Sequence, residues 1–424
     1  MELVFSRKDM DRAMKMVSRV AGKPAILPVL SHVLISAGRD RSSRMRGWDM
    51  SEGLNGDRIY VAATDLEMSI RTGIPGQIME GGAIAIPART FASVINALVE
   101  EEVKLIASGD KARICCDKGE FKMVGMSVHE FPSLIAGTDG DMQLELAAGT
   151  EEKQETHLFS LSADALGWMI RKTAFAASKD NARYFLNGVH LSLKPGGGVI
   201  LARMAATDGA RLAVASVTVE EEVLEREVEA IITSKAVREL ERLSTSSDVV
   251  GIGLQESRMV FDAGDTVLAS TLIEGQYPDY QKAIPDGSRI NLKADTGHLL
   301  AVIRRISQVS DPRMPCVKLE MTDARLKVSA NSVHVGDGCE EMDLGSPSAR
   351  KKKETDVGSP SARKEKDGDN IVIAVNARFL MDSLQAIDTQ ETLMGIDSEV
   401  KPMVIRPSLG NHLCVLMPVR LAAG

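Results

Sequence analysis

Apolar and polar positions along this chain follow two periods, and the way those periods recur divides it into three similar parts. A first series of segments has helical spacing behind a cap candidate. Ser6 precedes Met10, Ala13, Met14 and Val17; Ser162 precedes Leu166, Met169 and Ile170; Asp295 precedes Leu299, Ile303 and Ile306. A second series places a short apolar stretch before a helix. Ile86 to Phe91 leads into Val94, Ile95 and Leu98. Ile232 to Val237 leads into Leu240 and Leu243. Ala374 to Phe379 leads into Leu380, Leu384 and Ile387. The copies lie roughly 145 residues apart, a domain length.

Between the helices run alternating stretches that read as strands, such as Val103 to Ile106, Val189 to Leu193 and Leu326 to Ala330. Turn signals such as Pro195-Gly196-Gly197-Gly198 separate them. Each unit thus reads as two helices on an antiparallel sheet, an α+β fold repeated three times. The expected domains are residues 1–147, 148–286 and 287–424. Two stretches break the pattern, an insertion at 38–58 in the first domain and one at 336–369 in the third. The second holds paired Gly-Ser-Pro-Ser-Ala-Arg-Lys segments and almost no large apolar residue. It reads as an exposed, mobile loop without a part in subunit contacts. The competing reading lets Arg350, Lys351, Lys352, Lys353 and Arg363 touch DNA or an acidic partner, though Glu354, Asp356, Glu365 and Asp367 dilute that charge.

Charge changes the picture by its distribution. The formal net charge is −8. Yet Ser6 to Lys23 carries six basic residues against two acidic ones. Ser162 to Arg183 and Lys293 to Arg313 each carry four against two. Three equivalent helices of one sign on an acidic body suggest a basic surface that attracts phosphates without regard to sequence. Ordinary solvated helix faces would give the same count. The 21 methionines fill core or line a surface that accepts varied partners.

Candidate chemistry is sparse. No Gly-rich loop ends in Gly-Lys-Ser/Thr, and no His or Cys pair has metal-ligand spacing. His129-Glu130 is the nearest acid/base pair, and adjacent side chains diverge. Asp65 and Asp208 sit in matching Ala-Thr-Asp tripeptides, which argues for a shared turn. The five cysteines have no disulfide spacing and read as free thiols of a cytoplasmic protein. An enzyme using the Cys115-Cys116 thiols needs a low-pKa cysteine in a basic pocket. No catalytic residue, metal or cofactor is expected.

Ala206-Thr-Asp-Gly-Ala-Arg-Leu-Ala213 resembles a segment of bacterial DNA sliding clamps, the β subunit of DNA polymerase III. Further matches stand in the family's order: Leu27-Pro-Val-Leu-Ser-His, Ala63-Thr-Asp-Leu-Glu, Phe131-Pro-Ser-Leu, Arg183-Tyr-Phe-Leu-Asn-Gly, Glu274-Gly-Gln-Tyr-Pro-Asp-Tyr and Leu416-Met-Pro-Val-Arg-Leu421. The resemblance implies a non-catalytic, head-to-tail homodimer of three-domain chains. It closes as a ring around double-stranded DNA and serves as processivity factor for the replicative DNA polymerase. A clamp loader and other proteins with a clamp-binding motif are the further partners. A duplicated clamp specialised for repair or inhibitor tolerance is the alternative. By the same resemblance, Lys23, Lys179, Arg183, Tyr184 and Lys235 face the DNA. Phe121 and Met123 of one chain meet Ile306 and Val309 of the other. Leu186, Thr207, Gly209, Arg211, Leu212, Pro278, Lys282, Met314, Asn376, Phe379, Val400, Pro402, Met417, Pro418, Val419 and Arg420 form a slot for a partner peptide carrying a Gln and Leu or Phe anchors. For Met417 to Val419 the plainer reading is a last core strand. The chain departs from the family at Ala210, where many members have His, at Phe185, which replaces a frequent Tyr, and at Ala422 to Gly424, which extend past the usual terminus.

Overall fold

The structure, a computed structural model, describes residues 1–22, 27–37, 58–117, 119–132, 157–220, 227–255, 257–321, 325–344 and 371–420. Six α-helices lie among them: α1 (Arg7–Val20), α2 (Ala88–Ala97), α3 (Ala163–Thr173), α4 (Ser234–Leu243), α5 (Thr296–Ile306) and α6 (Ala377–Gln385). With them are 24 strands, eight in each third of the chain. Two helices with antiparallel strands in each repeat is the pattern that the periodicities predict, and the structure sets the number of strands at eight.

The helix faces follow from the spacing of the apolar residues. On α1, Met10, Ala13, Met14 and Val17 are buried, as are Leu299, Ile303 and Ile306 on α5. Full burial of such a side chain is worth about 1.5–3 kcal/mol, so the buried stripe, not helix propensity, holds these helices. The capping expectation needs a correction. Ser162 Oγ accepts the Ala165 amide and Asp295 Oδ1 the His298 amide, but Ser6 makes no side-chain cap bond. All three helices also share a backbone device. The first amide of each donates to a carbonyl at a strand end: Arg7 to Glu101, Ala163 to Asp248, Thr296 to Gln390.

The chain divides into two compact units, residues 1–167 with 238–272, and residues 168–237 with 273–424. These are not the three repeats, because the middle repeat contributes half of its strands to each unit. In the first unit a twelve-stranded sheet runs in the order Gly119–Val124, Lys111–Cys116, Glu102–Ser108, Glu2–Ser6, Met68–Glu80, Thr266–Thr271, Arg258–Asp262, Val249–Gln255, His157–Ser162. Off this path, His32–Ala37 pairs with Arg58–Thr64 and Gly82–Pro87. The long strand Met68–Glu80 joins the repeats. Its first half pairs with Thr266–Thr271 of the middle repeat and its second half with Glu2–Ser6. Thr72 and Thr266, both buried, bond through their hydroxyls at 2.8 Å across that seam, and Arg58 pairs with Asp265.

The second unit repeats the device. Its eight-stranded sheet runs Val228–Thr233, Gly188–Gly196, Val199–Thr207, Arg211–Val219, His412–Leu416, Met403–Pro407, Glu391–Ile396, Ile290–Asp295. The middle repeat meets the third where Arg211–Val219 pairs with His412–Leu416, in the register Arg211 opposite Leu416 through Ala215 opposite His412. Ala205, Leu212, Val214, Tyr280 and Val415 form a core cluster there, with Tyr277, Ile284 and Leu413 packed against it.

A separate four-stranded sheet completes this unit: Gly336–Asp343, Arg325–Ser332, Cys316–Met321, Ile371–Asn376. It corrects the expected insertion at 336–369. Residues 336–343 are a paired strand, with Met342 opposite Leu326 and Ser329 opposite Cys339. The strand escapes a hydrophobicity reading because it lies at the sheet's end, where Met342 is its one buried residue. The paired Gly-Ser-Pro-Ser-Ala-Arg-Lys segments, most of the 38–58 insertion and the first expected domain boundary lie outside the described residues.

Candidate partner slot and nucleic-acid surface

The matching Ala-Thr-Asp tripeptides fold into the same turn. Thr64 Oγ1 donates to the Met68 carbonyl and accepts the Leu66 amide; Thr207 Oγ1 donates to the Arg211 carbonyl and accepts the Gly209 amide. Asp65 Oδ1 accepts the amides of Glu67 and Met68, and Asp208 Oδ1 those of Ala210 and Arg211. Both turns need one residue in the left-handed region, Leu66 at φ 77° and Gly209 at φ 88°. At the second turn a Cβ would stand 2.6 Å from Nη1 of the exposed Arg183, the far end of a flexible side chain, so the left-handed φ alone calls for glycine. The two Asp side chains are turn-formers, as the repeat argument expects.

The second turn carries three of the sixteen residues expected to form the peptide slot, Thr207, Gly209 and Arg211, and all sixteen fall in the second unit. Leu186, Leu212 and Thr207 are buried behind it. Arg211 of that turn contacts Phe379 and Asp382 of α6, at whose start Asn376 Oδ1 accepts the amides of Arg378 and Phe379 and so caps the helix. The chain's last described segment bonds to both repeats. Met417 N donates to Ala210 O at 2.9 Å, and Val419 N donates to Ala374 O at 2.7 Å. Pro418 between them has no amide to give. Met417, Met314 and Val400, three of the expected slot residues, are 45%, 59% and 74% exposed. Lys282 is exposed and pairs with Asp279 at 3.1 Å.

Four residues that sequence reasoning missed, Tyr277, His190, Phe175 and Asp382, lie around this turn. Tyr277 is half-buried, and its hydroxyl accepts the Thr207 amide at 3.0 Å. Burial pushes its phenol pKa up. His190 stacks on Tyr277, ring centres 4.9 Å apart. Phe175 and Asp382 both contact Arg211. A lone acid on α6 gives no sequence signal for such a pair, whereas Tyr277 stands in a quoted motif.

Burial, assisted by the Lys194 cation, lowers the His190 pKa from 6.5 to about 4. The unfolded chain therefore takes up the proton first, and the neutral imidazole's stability is lost as pH falls from 6.5 towards 4. Between pH 7.5 and pH 5 we expect the wild type to lose about 2 kcal/mol that His190→Gln does not lose. Urea midpoints at the two pH values check this, and equal losses in the two proteins would contradict it. The buried His412, lowered to about 4 mainly by burial, acts in the same direction in both.

Of the residues expected to face DNA, Lys23 lies outside the described residues. Lys179, Arg183 and Lys235 are exposed, and Tyr184 is 56% exposed. Lys179 precedes the 3-10 segment Asn181–Leu186, which carries Arg183 and Tyr184 and which Asp180 caps by accepting the Ala182 amide. Arg183 Nε lies 3.4 Å from Asp180, while its Nη1 faces Gly209. Lys235 is in the first turn of α4. At the expected subunit seam, Phe121 is 41% exposed on the terminal strand of the twelve-stranded sheet. Met123 and Ile306 are already buried in their own chain, and Val309 is half-buried beside Gly338. Phe121 is thus the one of the four with a largely exposed apolar side chain.

Elsewhere in the third repeat a cavity of about 630 Å³ is lined by residues that include Thr296, Leu300, Leu384, Asp388 and Gln390, and by none of the expected slot residues. Burial pushes the Cys414 thiol up to about 12. No group of three His, Cys, Asp or Glu among the described residues is arranged to hold a metal ion, and no described helix is long and apolar enough to cross a membrane.

Three family models match the chain in order. The DNA polymerase III beta subunit N-terminal domain matches residues 53–135, its central domain 160–279 and its C-terminal domain 281–420. A beta sliding clamp of Synechococcus elongatus is 28% identical, covering 99% of this chain and 100% of the relative. One of Chlamydia trachomatis is 28% identical, covering 99% and 87%. Among solved structures, a sliding clamp (DNA polymerase III subunit beta) of Bartonella birtlesii, bound to griselimycin, is 26% identical with a TM-score of 0.81. It covers 99% of this chain and 100% of that one. The chain belongs to the DNA polymerase III beta subunit family.

Proposed function

We propose that this chain is the sliding clamp of its replicative polymerase, a non-catalytic ring that encircles duplex DNA and tethers DNA polymerase III to it. The observation that carries this is the threefold repeat of two helices and eight strands, matched in order by the three beta subunit domains. The domains are taken as 1–147, 148–286 and 287–424. The central pair of seams, where strands of one repeat continue the sheet of the next, gives a rule for closing the ring: the free sheet ends pair likewise.

Two ends suit each other. The terminal strand Gly119–Val124 and its neighbour Lys111–Cys116 carry Lys111, Arg113 and Lys122 against Glu120. The terminal strand Gly336–Asp343 carries Asp337, Glu340, Glu341 and Asp343 and no basic residue. Arg305 and Arg325 of the same chain already offset part of that charge. A strand with unpaired backbone groups needs a partner, and unlike patches joined head to tail close after two copies when the rotation allows. In this reading Lys23, Lys179, Arg183, Tyr184 and Lys235 face the enclosed DNA. Their contacts are to phosphates, which position the duplex without reading bases and so permit sliding. The slot in the second unit takes a short peptide of the polymerase, the clamp loader or another partner.

Topology is the test. Assembled by a clamp loader on nicked circular DNA, the protein stays bound through gel filtration at about 0.5 M salt, where phosphate contacts alone are released. Cutting the circle once frees it. Loss from the uncut circle at the same rate as from the linear form would overturn the proposal.

A further inference from the structure

Arg211 is expected, from the family, to line the peptide slot, yet its surroundings leave it little to offer a peptide. Its side chain is only 10% exposed. Nε donates to Asp208 Oδ2 at 3.0 Å, Nη1 to Asp382 Oδ2 at 2.6 Å, and Nη2 to the Phe175 carbonyl at 2.6 Å. The guanidinium also lies 4.3 Å from the ring centre of Phe379 and 5.5 Å from that of Phe175. Each nitrogen is engaged, and both rings have a cation over them. Its partners come from three places in the chain: the segment after α3, the Thr207–Arg211 turn and helix α6.

We infer that Arg211 is a positioning residue that fixes the turn against α6, and that Asp382 and Phe175 set the affinity of the slot through it. This rests on the slot reading of the preceding section. The turn carries the Ala210 carbonyl that receives Met417, and α6 carries Phe379, itself held under the guanidinium. Both walls are thereby referred to one planar cation. Such a site binds well only if its walls are set before the ligand arrives. A planar fork with two faces can tie two carboxylates, a carbonyl and two rings together, and a lysine ammonium cannot.

The alternative, in which Arg211 binds the peptide directly, predicts the opposite sign for one substitution. Asp382→Asn removes a competitor for the guanidinium without touching the slot's apolar residues. If Arg211 binds peptide, affinity stays or rises; if Arg211 positions the walls, affinity falls. The probe is a fluorescein-labelled synthetic peptide with one Gln and Leu and Phe anchors, titrated at 20 °C by anisotropy. We expect D382N to weaken binding about tenfold, with unchanged sedimentation. Asp382→Glu, which keeps the charge, restores most of the affinity. Arg211→Lys weakens binding to a similar degree, and the double variant R211K/D382N is no weaker than the worse single one, because both remove the same link. If D382N is unfolded at 20 °C, Phe175→Leu removes one of the two rings beside the guanidinium and is read in the same way. Wild-type affinity in the folded variant, or tighter binding, would overturn the inference and leave the slot intact. No binding by the wild type would instead remove the slot reading itself.

Discussion

Phe121→Asp is expected to convert the protein from a dimer to a folded monomer. The side chain is 41% exposed in the single chain and stands on the terminal strand of the twelve-stranded sheet. Within the chain the substitution therefore costs little, and the melting temperature should stay close to that of the wild type. In the proposed ring the same position is covered by the partner's third repeat. A carboxylate buried there without a counter-ion costs about 3–5 kcal/mol, which corresponds to a loss of roughly 150- to 5,000-fold in association per seam. Two seams close each ring, so the penalty applies twice. The acidic strand Gly336–Asp343 expected opposite makes it worse, through Asp337, Glu340, Glu341 and Asp343. Sedimentation equilibrium at micromolar concentration reads the result directly. A dimer of wild-type affinity would mean that Phe121 is not at the seam.

Removal of Met417 to Gly424 should leave the ring and abolish polymerase stimulation. Strand His412–Leu416, which joins the middle repeat to the third, remains paired with Arg211–Val219. The cut takes away the segment that hydrogen-bonds to Ala210 and Ala374, and with it the exposed Met417. A few anchor contacts carry most of the energy in such a slot, at about 2 kcal/mol or more each. Their combined loss should weaken partner peptides by at least about 30-fold. Met417→Ala is the milder control and should show a smaller loss with the same stability. Full stimulation by the truncated dimer would show that Met417 to Val419 are structural only.

Much of this architecture is written locally in the chain. The buried stripe of Met10, Ala13, Met14 and Val17 is visible because helix faces are set by neighbours three and four residues apart. The paired turns at Thr64 and Thr207 are visible for the same reason, since each closes its hydrogen bonds within five residues. What stays hidden depends on partners far along the chain. Nothing near Met68–Glu80 announces that its first half pairs with Thr266–Thr271. Nothing near Asp382 announces Arg211, 171 positions away. The strand Gly336–Asp343 looks like a polar insertion because a strand at a sheet's end buries little and needs few apolar residues. Ser6 looks like a helix cap by type and position, but the structure uses the Glu101 carbonyl at that helix start instead.

The central claim is that this protein holds a polymerase on DNA without doing chemistry itself. It is tested most directly by primer extension on a long single-stranded circle, with the cognate polymerase III core, the clamp loader and a trap for released polymerase. With the wild-type chain present, products should extend to thousands of nucleotides in one binding event; without it, they should stop within tens. Product lengths that do not depend on the chain would contradict the account.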